Sequence, residues 1–444
     1  MTTVLFGRRA PAVVLNTIGR TDWIMAALVS GLYLTYFLLI QPQVAVNNGA
    51  GWDGADYFRL AHGDYSSPVY PLVQRIGLPL LAGRWPSSDI MLNFRILNAA
   101  LAWLHGVVTW ILLAALIKPD RSWLRILAWM MICAIQVAPI PLAVWYPVQN
   151  DVAAAFFSQL LLLALLSGYC QWYLLIVLFF LGTLCRENFA QYAIFFLFRW
   201  DIFWDRGISA VKNITGMISV NWREALKLLC PSIAGYVAAT LIVNNFVKKG
   251  MTIEDRFRFY IDGVAWHHLT DFALSMIGVL SSIWLYRFAL WVAGIKLRDA
   301  HILPVAPTCI IMLVFFIISL GGGTNTERYL YWILPFLVIQ SVNTIDYLVR
   351  HRYLAALMAC LFYSVFMQRT FMPIHPAALE GCSPLNILMG SSAFMGHFGQ
   401  QCESNGMSTI LFFVFLVLPV LALLVLWSPR KAGGAVTMER VGEN

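Results

Sequence analysis

The sequence predicts an all-α polytopic membrane protein, and three observations predict it. Hydrophobic residues make up 60% of the 444 and charged residues only 12%, about half the charged share of a soluble domain. Apolar runs close to the roughly 20 residues that a membrane-crossing helix needs recur from end to end. Lys and Arg gather in alternate short connections, as they do in cytoplasmic loops. No stretch is left over for a soluble domain of useful size, so residues 1–444 read as a single transmembrane domain.

Crossings are expected at Trp23–Ile40, Ile90–Ile117, Leu124–Val144, Val152–Ser167, Leu226–Asn244, Asp271–Ala293, Ile302–Leu320, Tyr329–Val349, Tyr353–Met367 and Thr409–Trp427, about ten in all. Trp172–Trp200 differs, because Cys185-Arg186-Glu187-Asn188 interrupts it. It is either one long crossing or two short helices, and at 1.5 Å rise per residue helices of about 12 residues cannot cross alone. Arg8, Arg9 and Arg20 place the N-terminus inside, Lys118, Arg121 and Arg125 the second loop, and Arg430, Lys431 and Arg440 the C-terminus. The number of crossings is then even, so the Trp172 segment is expected to enter and return as a short helical hairpin. The total is about 11 to 13 membrane helices. Arg199, Arg206, Lys212, Arg223 and Lys227 then stay inside, with Lys296, Arg298, Arg350 and Arg352.

This topology puts residues 41–89, 245–270, the Gly321–Arg328 turn and 368–408 outside, with 428–444 as a cytoplasmic tail. The first outer segment contains Gly51-Trp52-Asp53-Gly54-Ala55-Asp56-Tyr57-Phe58, and the CREN turn points toward the same face. Asp53, Asp56, Tyr57 and Leu60 fall at i, i+3, i+4 and i+7, one face of a short helix at the membrane interface. Such a face can hold a base and a ligand contact together. Asp53 could equally be the cap of that helix, since Asp is common at helix starts.

Trp52-Asp53-Gly54, Tyr57-Phe58, Ala61, Gly63 and Tyr65, followed by Tyr70-Pro71-Leu72, resemble the first extracytoplasmic loop of the GT-C superfamily of integral-membrane glycosyltransferases. The likeness is closest to the GPI mannosyltransferase type that adds the second mannose, and to its bacterial relatives. It covers about thirty residues, and Pro68-Val69-Tyr70-Pro71 stands where that family usually has Phe-Phe-Pro. The resemblance implies a polyprenyl-phosphate sugar as donor and Asp53 as general base, with Asp56 as an additional acid. Gly321 to Pro335, containing Glu327-Arg328-Tyr329, is similar to a turn before a late crossing in several bacterial GT-C proteins. Arg328 would suit a donor phosphate there.

Sugar transfer from a lipid phosphate needs an acceptor hydroxyl made nucleophilic, a leaving phosphate whose charge is stabilised, and a reacting centre shielded from water. An Asp supplies the first and an Arg the second. A single inverting displacement needs one base and no covalent intermediate.

Arg59, Arg75, Arg84, Arg95, Arg256, Arg258, Arg328 and Arg369 fall on the outer side with Lys248 and Lys249. Long translocated loops tolerate such charge. An anionic donor would use arginines, because Arg grips phosphate bidentately; for any single one, headgroups or solvated loop surface is the simpler surrounding. Arg186 and Arg328 are set apart, because each abuts apolar helix where an unpaired charge is costly. With Arg59 they are the candidate donor-phosphate contacts. Glu187 and Glu327 either neutralise their neighbouring arginines or bind donor. Tyr57, Glu327, Tyr329, His267 and His268 are the candidate substrate contacts. His267 and His268 could join Asp53 and Asp56 around a divalent cation, but their spacing matches no dedicated site, so no cofactor is expected and acceptor recognition or interfacial placement is preferred.

Cys133, Cys185, Cys230, Cys309 and Cys360 lie in or at the ends of apolar runs, with Cys170 on the inner side, whereas Cys382 and Cys402 share an outer loop. In an oxidising compartment that pair would close a loop of about 20 residues, worth roughly 3 kcal/mol; the alternative is two free thiols. Asn213-Ile-Thr is a formal glycosylation sequon on the expected inner side. No repeat, nucleotide-binding glycine loop or cleavable signal stands out, and no nucleic acid is expected as partner. The expected partners are the lipid bilayer, a polyprenyl-phosphate sugar donor, and a glycan, lipid or protein acceptor. The expected location is a bacterial inner membrane, or an ER membrane in a eukaryote. A transporter or flippase of lipid-linked sugars, a ligase or polymerase acting on them, and a non-catalytic subunit of a glycan-assembly complex are the alternatives.

Overall fold

The computed structural model describes residues 18–44, 46–66, 72–117, 122–135, 138–167, 169–197, 222–246 and 349. Apart from Val349, the expected crossings from Asp271 onward lie outside the described residues, as do nearly all of the 245–270 loop and the whole of the 368–408 loop and the 428–444 tail. What is described is all-helical. Three helices are long and apolar enough to cross a membrane: Arg20–Ile40, Ile90–Ala115 and Ala225–Phe246.

The first helix, α1, is Arg20–Ile40. The Asp22 carboxylate accepts the Gly19 N–H at 3.1 Å, satisfying one of the donors that every helix start leaves open. The helix stops at Gln41, which is extended and precedes Pro42, as a residue before proline is biased to be. Two shorter helices follow, α2 at Gly51–Ala61 and α3 at Gly77–Arg84. The second long helix, α4, is Ile90–Leu116, and its N-cap Asp89 accepts the Leu92 N–H at 3.1 Å.

The sequence reads Leu124–Val144 as one crossing, and here the structure differs. It is broken into α5, Ser122–Cys133, and α6, Pro139–Trp145. Pro139 and Pro141 are the physical reason: a prolyl ring blocks the helical conformation of the preceding residue and removes an N–H donor. Ala138 is accordingly extended, and α6 begins at Pro139. Next come α7, Asp151–Ser167, and α8, Trp172–Cys185. At Arg186 the chain leaves the helix and continues as a 3-10 segment, Glu187–Leu197. Phe179 and Phe189 have ring centroids 5.4 Å apart, whereas residues ten apart on a straight helix are separated by ~15 Å. The chain thus doubles back at the CREN turn, with a 3-10 rather than an α-helical second arm. The last described helix, α9, is Trp222–Phe246.

Two clusters of polar contacts define the ends of this bundle. At one, Arg125 pairs with Asp22 at 2.8 Å, and its guanidinium also donates to the carbonyls of Ile117 at 2.8 Å and Ala114 at 3.2 Å. One cation thereby caps the C-terminus of α4, where the helix dipole favours positive charge, and ties it to the start of α1. At the other end, the Val44 N–H donates to the Trp145 carbonyl at 2.9 Å, Asn98 on α4 donates to the carbonyls of Pro147 and Gln149, and Asp151 at the start of α7 meets Arg186 at the end of α8.

Between these ends the helices approach closely through small residues. A Cβ on Gly106 of α4 would lie 2.7 Å from Ser30 Oγ of α1, and one on Gly235 of α9 would lie 2.4 Å from the Ile176 carbonyl oxygen of α8. This is the mode of packing expected where lipid removes the hydrophobic drive for helix association. Leu28, Leu32 and Leu39 of α1 and Leu241 of α9 point outward and exposed.

Removing the Arg125 clamp leaves Asp22 unpaired and the α4 carbonyls uncapped. Arg125→Ala is expected to lower stability in detergent by about 3 kcal/mol, and Asp22→Asn, whose carboxylate is partly exposed, by about 1 kcal/mol. Thermal unfolding midpoints of the purified variants measure both.

Candidate active site

The GWDGADYF segment is built onto the end of the bundle where Asp151 and Arg186 meet. Asn47 and Asn48 are left-handed (φ 50° and 53°) and Gly49 has φ 92°. Asn tolerates that region better than most residues, and these turns swing the chain into α2. Asn47 Nδ2 donates to the Gly51 carbonyl at 2.8 Å.

Asp53 is not the cap that its residue type allows. The cap position is Ala50, which makes no side-chain cap bond, and Asp53 is the third residue of α2. Its charge still favours the helix start through the dipole. The carboxylate is half-buried and has no hydrogen bond or ion pair among the described residues. Asp56, one turn along, is engaged with Arg59 at 3.4 Å, a pair whose Arg side chain is 54% exposed and hence weak. Tyr57 and Leu60 complete the predicted face and are buried. The face therefore divides: its later part anchors the helix, and its two acids lie toward the edge.

Both glycines of Gly51-Trp52-Asp53-Gly54 are required by close approach. A Cβ on Gly51, which also has φ +68°, would lie 2.3 Å from the Tyr146 ring, and one on Gly54 would lie 2.3 Å from Val148 Cγ2. Into this notch the Tyr146 hydroxyl fits, accepting the Gly54 N–H at 3.0 Å. An open donor at the start of α2 is thus satisfied by a residue from the end of α6.

Beneath α2 lies a buried set of charges. Arg75 donates to both carboxylate oxygens of Glu187 at 2.8 and 2.7 Å, a bidentate pair. Its third nitrogen donates to the Tyr57 hydroxyl at 3.2 Å, and its carbonyl accepts from Asn150 at 2.8 Å. Arg186 pairs with Asp151, both almost fully buried. The acid sits at the start of α7 and the base at the end of α8, the signs that the two helix dipoles favour. Two cations and two anions balance. Burial pushes the Tyr57 phenol above its ordinary range, the nearby charge of Asp53 adds to this, and Arg75 opposes it. The phenol stays neutral at physiological pH and serves as an acceptor for Arg75.

The structure brings Asp53, Asp56, Tyr57, Arg59 and Arg186 to one end of the bundle. Arg186 is occupied by Asp151 and Arg59 reaches outward from Asp56. Glu187 neutralises Arg75, not the neighbouring Arg186 as its position in sequence suggests, and Arg75 is a buried anchor rather than a solvated loop residue. Glu327, Arg328, Tyr329, His267, His268, Cys382 and Cys402 lie outside the described residues. Cys133, Cys170, Cys185 and Cys230 are free thiols.

Tyr146, Arg75 and Asp151 are the residues here that sequence reading passes over. Tyr146 is hidden in an apolar run and Arg75 among several loop arginines. Asp151 could have been found as an acid directly before an apolar segment, a helix-start signature. No family model matches this chain, and no curated protein or solved structure matches it.

Glu187→Gln leaves the Arg75 charge buried without its counter-ion and is expected to cost about 3 kcal/mol, whereas replacing the pair together by Arg75→Met and Glu187→Leu is expected to cost less than the single change. Unfolding midpoints of the single and double variants test the order.

Proposed function

We propose that this chain is a glycosyltransferase of the GT-C type, which moves a hexose or pentose, mannose among them, from a polyprenyl-phosphate donor to a glycan, lipid or protein acceptor at the extracytoplasmic face of its membrane. Asp53 carries this assignment: it is a half-buried carboxylate without a hydrogen bond or ion pair among the described residues, at the edge of a set of buried charges that are themselves paired. A structural acid in an apolar bundle is expected to have a partner. An acid kept free next to neutralised charges is suited to take a proton.

In this mechanism the Asp53 carboxylate removes the proton from the acceptor hydroxyl as its oxygen bonds to the anomeric carbon. The bond from that carbon to the phosphate oxygen breaks, and the polyprenyl phosphate departs with the electron pair. Arg328 is the proposed contact for the departing phosphate. Arg59 and Arg186 are secondary contacts, and Arg186 would have to share itself with Asp151. Tyr57, Glu327, Tyr329, His267 and His268 are the proposed substrate contacts, and Asp56 orients the acceptor or holds a cation. The resemblance of Trp52-Asp53-Gly54 and its flanking residues to the GT-C first loop supports the reading, as does an apolar helical bundle in which lipid is the natural carrier of a donor.

Purified protein assayed with radiolabelled polyprenyl-phosphate hexoses, with and without chelator, tests it. Asp53→Asn is expected to lower transfer by about 10²–10⁴-fold, with Asp56→Asn retaining more activity. Full transfer by Asp53→Asn would overturn the assignment. No transfer by the wild type from any donor would favour transport or an accessory role.

A further inference from the structure

We infer that Tyr146 is the positioning residue for Asp53, acting through the backbone of α2; this rests on the transferase reading above for its catalytic consequence, though not for its structural one. Asp53 is held from both sides along the chain. On one side, the next residue, Gly54, gives its N–H to the Tyr146 hydroxyl at 3.0 Å in a buried contact. On the other, four residues on, Tyr57 accepts from Arg75 at 3.2 Å. A side chain on a short helix can be no better placed than the backbone that carries it, and α2 is an 11-residue helix that would be marginal alone. Its first turn is where fraying is expected, and there Tyr146 grips it.

The grip is itself rigid. Tyr146 ends α6, and its N–H donates to the Leu142 carbonyl at 2.8 Å. The next residues are tied to α4, where Asn98 donates to the carbonyls of Pro147 and Gln149. The Trp145 carbonyl accepts from Val44 at 2.9 Å. Asp151, which closes this segment, is locked to Arg186. The glycines at 51 and 54 show that the seat is specific, since a methyl at either position would strike the Tyr146 ring or Val148 at 2.3 Å. Tyr146 is thereby coupled to three long elements, and through Gly54 it sets the height and rotation of the turn bearing Asp53. A base must lie within hydrogen-bond reach of the proton it takes, and displacement by about 1 Å can cost 10²-fold.

Tyr146→Phe keeps the ring and removes the hydroxyl. Two readouts on the full-length protein in detergent decide the inference. The first is amide hydrogen exchange of residues 51–57, which needs no substrate: exchange is expected to quicken at least tenfold in Tyr146→Phe, and unchanged exchange overturns the inference whatever the activity. The second is sugar transfer. Tyr146→Phe is expected to lower kcat by about 10–100-fold with KM for donor within about twofold, and to lower nothing further when added to Asp53→Asn, because it acts through that carboxylate. A further multiplicative loss in the double variant, or a change in KM alone, would mark Tyr146 as merely structural and overturn the inference. Wild-type transfer unaffected by Asp53→Asn sinks the transferase assignment instead, and is read apart from the Tyr146 result. Should Tyr146→Phe fail to fold, Gly54→Ala, which pushes α2 off Val148 while keeping Tyr146, is expected to give the same exchange and kcat changes, and wild-type values in it would contradict the inference.

Discussion

The constraint on which the described structure depends is that charge placed inside an apolar helical bundle must be neutralised where it sits. An isolated charge there costs at least a few kcal/mol, and the chain answers with matched pairs at its two ends. Arg125 and Asp22 close one end and cap α4. Arg75 with Glu187, and Arg186 with Asp151, close the other. Each pair joins elements remote in sequence, so each fixes helix order and register as well as charge. Asp151 and Arg186 also stand at helix ends whose dipoles suit them, which lowers the cost of keeping both ionised.

These pairs bear on the site because they leave Asp53 as the exception. The helix that carries it is anchored inward by Tyr57 and Leu60, clasped at its start by Tyr146, and underlain by charges that cancel. Rigid support, a dry underside and an uncommitted acid are the ingredients that a general base at a membrane surface requires. The resemblance to GT-C first loops supplies the chemistry for that arrangement, and the arrangement supplies a physical reason for the two glycines of GWDG, which admit Tyr146 and Val148.

Much of the architecture is legible in the sequence because lipid makes the code simple. The apolar stretches that became α1, α4 and α9 can be read from length and composition alone. The i, i+3, i+4, i+7 spacing foretells α2, and the interruption at CREN foretells the reversal at Arg186. The break between α5 and α6 was also written there, in Pro139 and Pro141, but a hydropathy reading averages over it. What sequence could not disclose were the partnerships. Arg75 and Glu187 are 112 residues apart and Gly54 and Tyr146 are 92 apart, and nothing local in either partner names the other. Neighbouring charges such as Arg186 and Glu187 invite pairing with each other, yet in the fold each turns to a distant counter-ion.

The most direct test of the central claim, that a lipid-borne sugar donor is received beside Asp53, is photo-crosslinking of the purified protein with a diazirine-bearing polyprenyl-phosphate hexose, followed by peptide mapping. Label within residues 51–61 and 145–151, reduced by excess unmodified donor, is the predicted result. Label confined to peptides remote from both, or incorporation indifferent to competing donor, would contradict it.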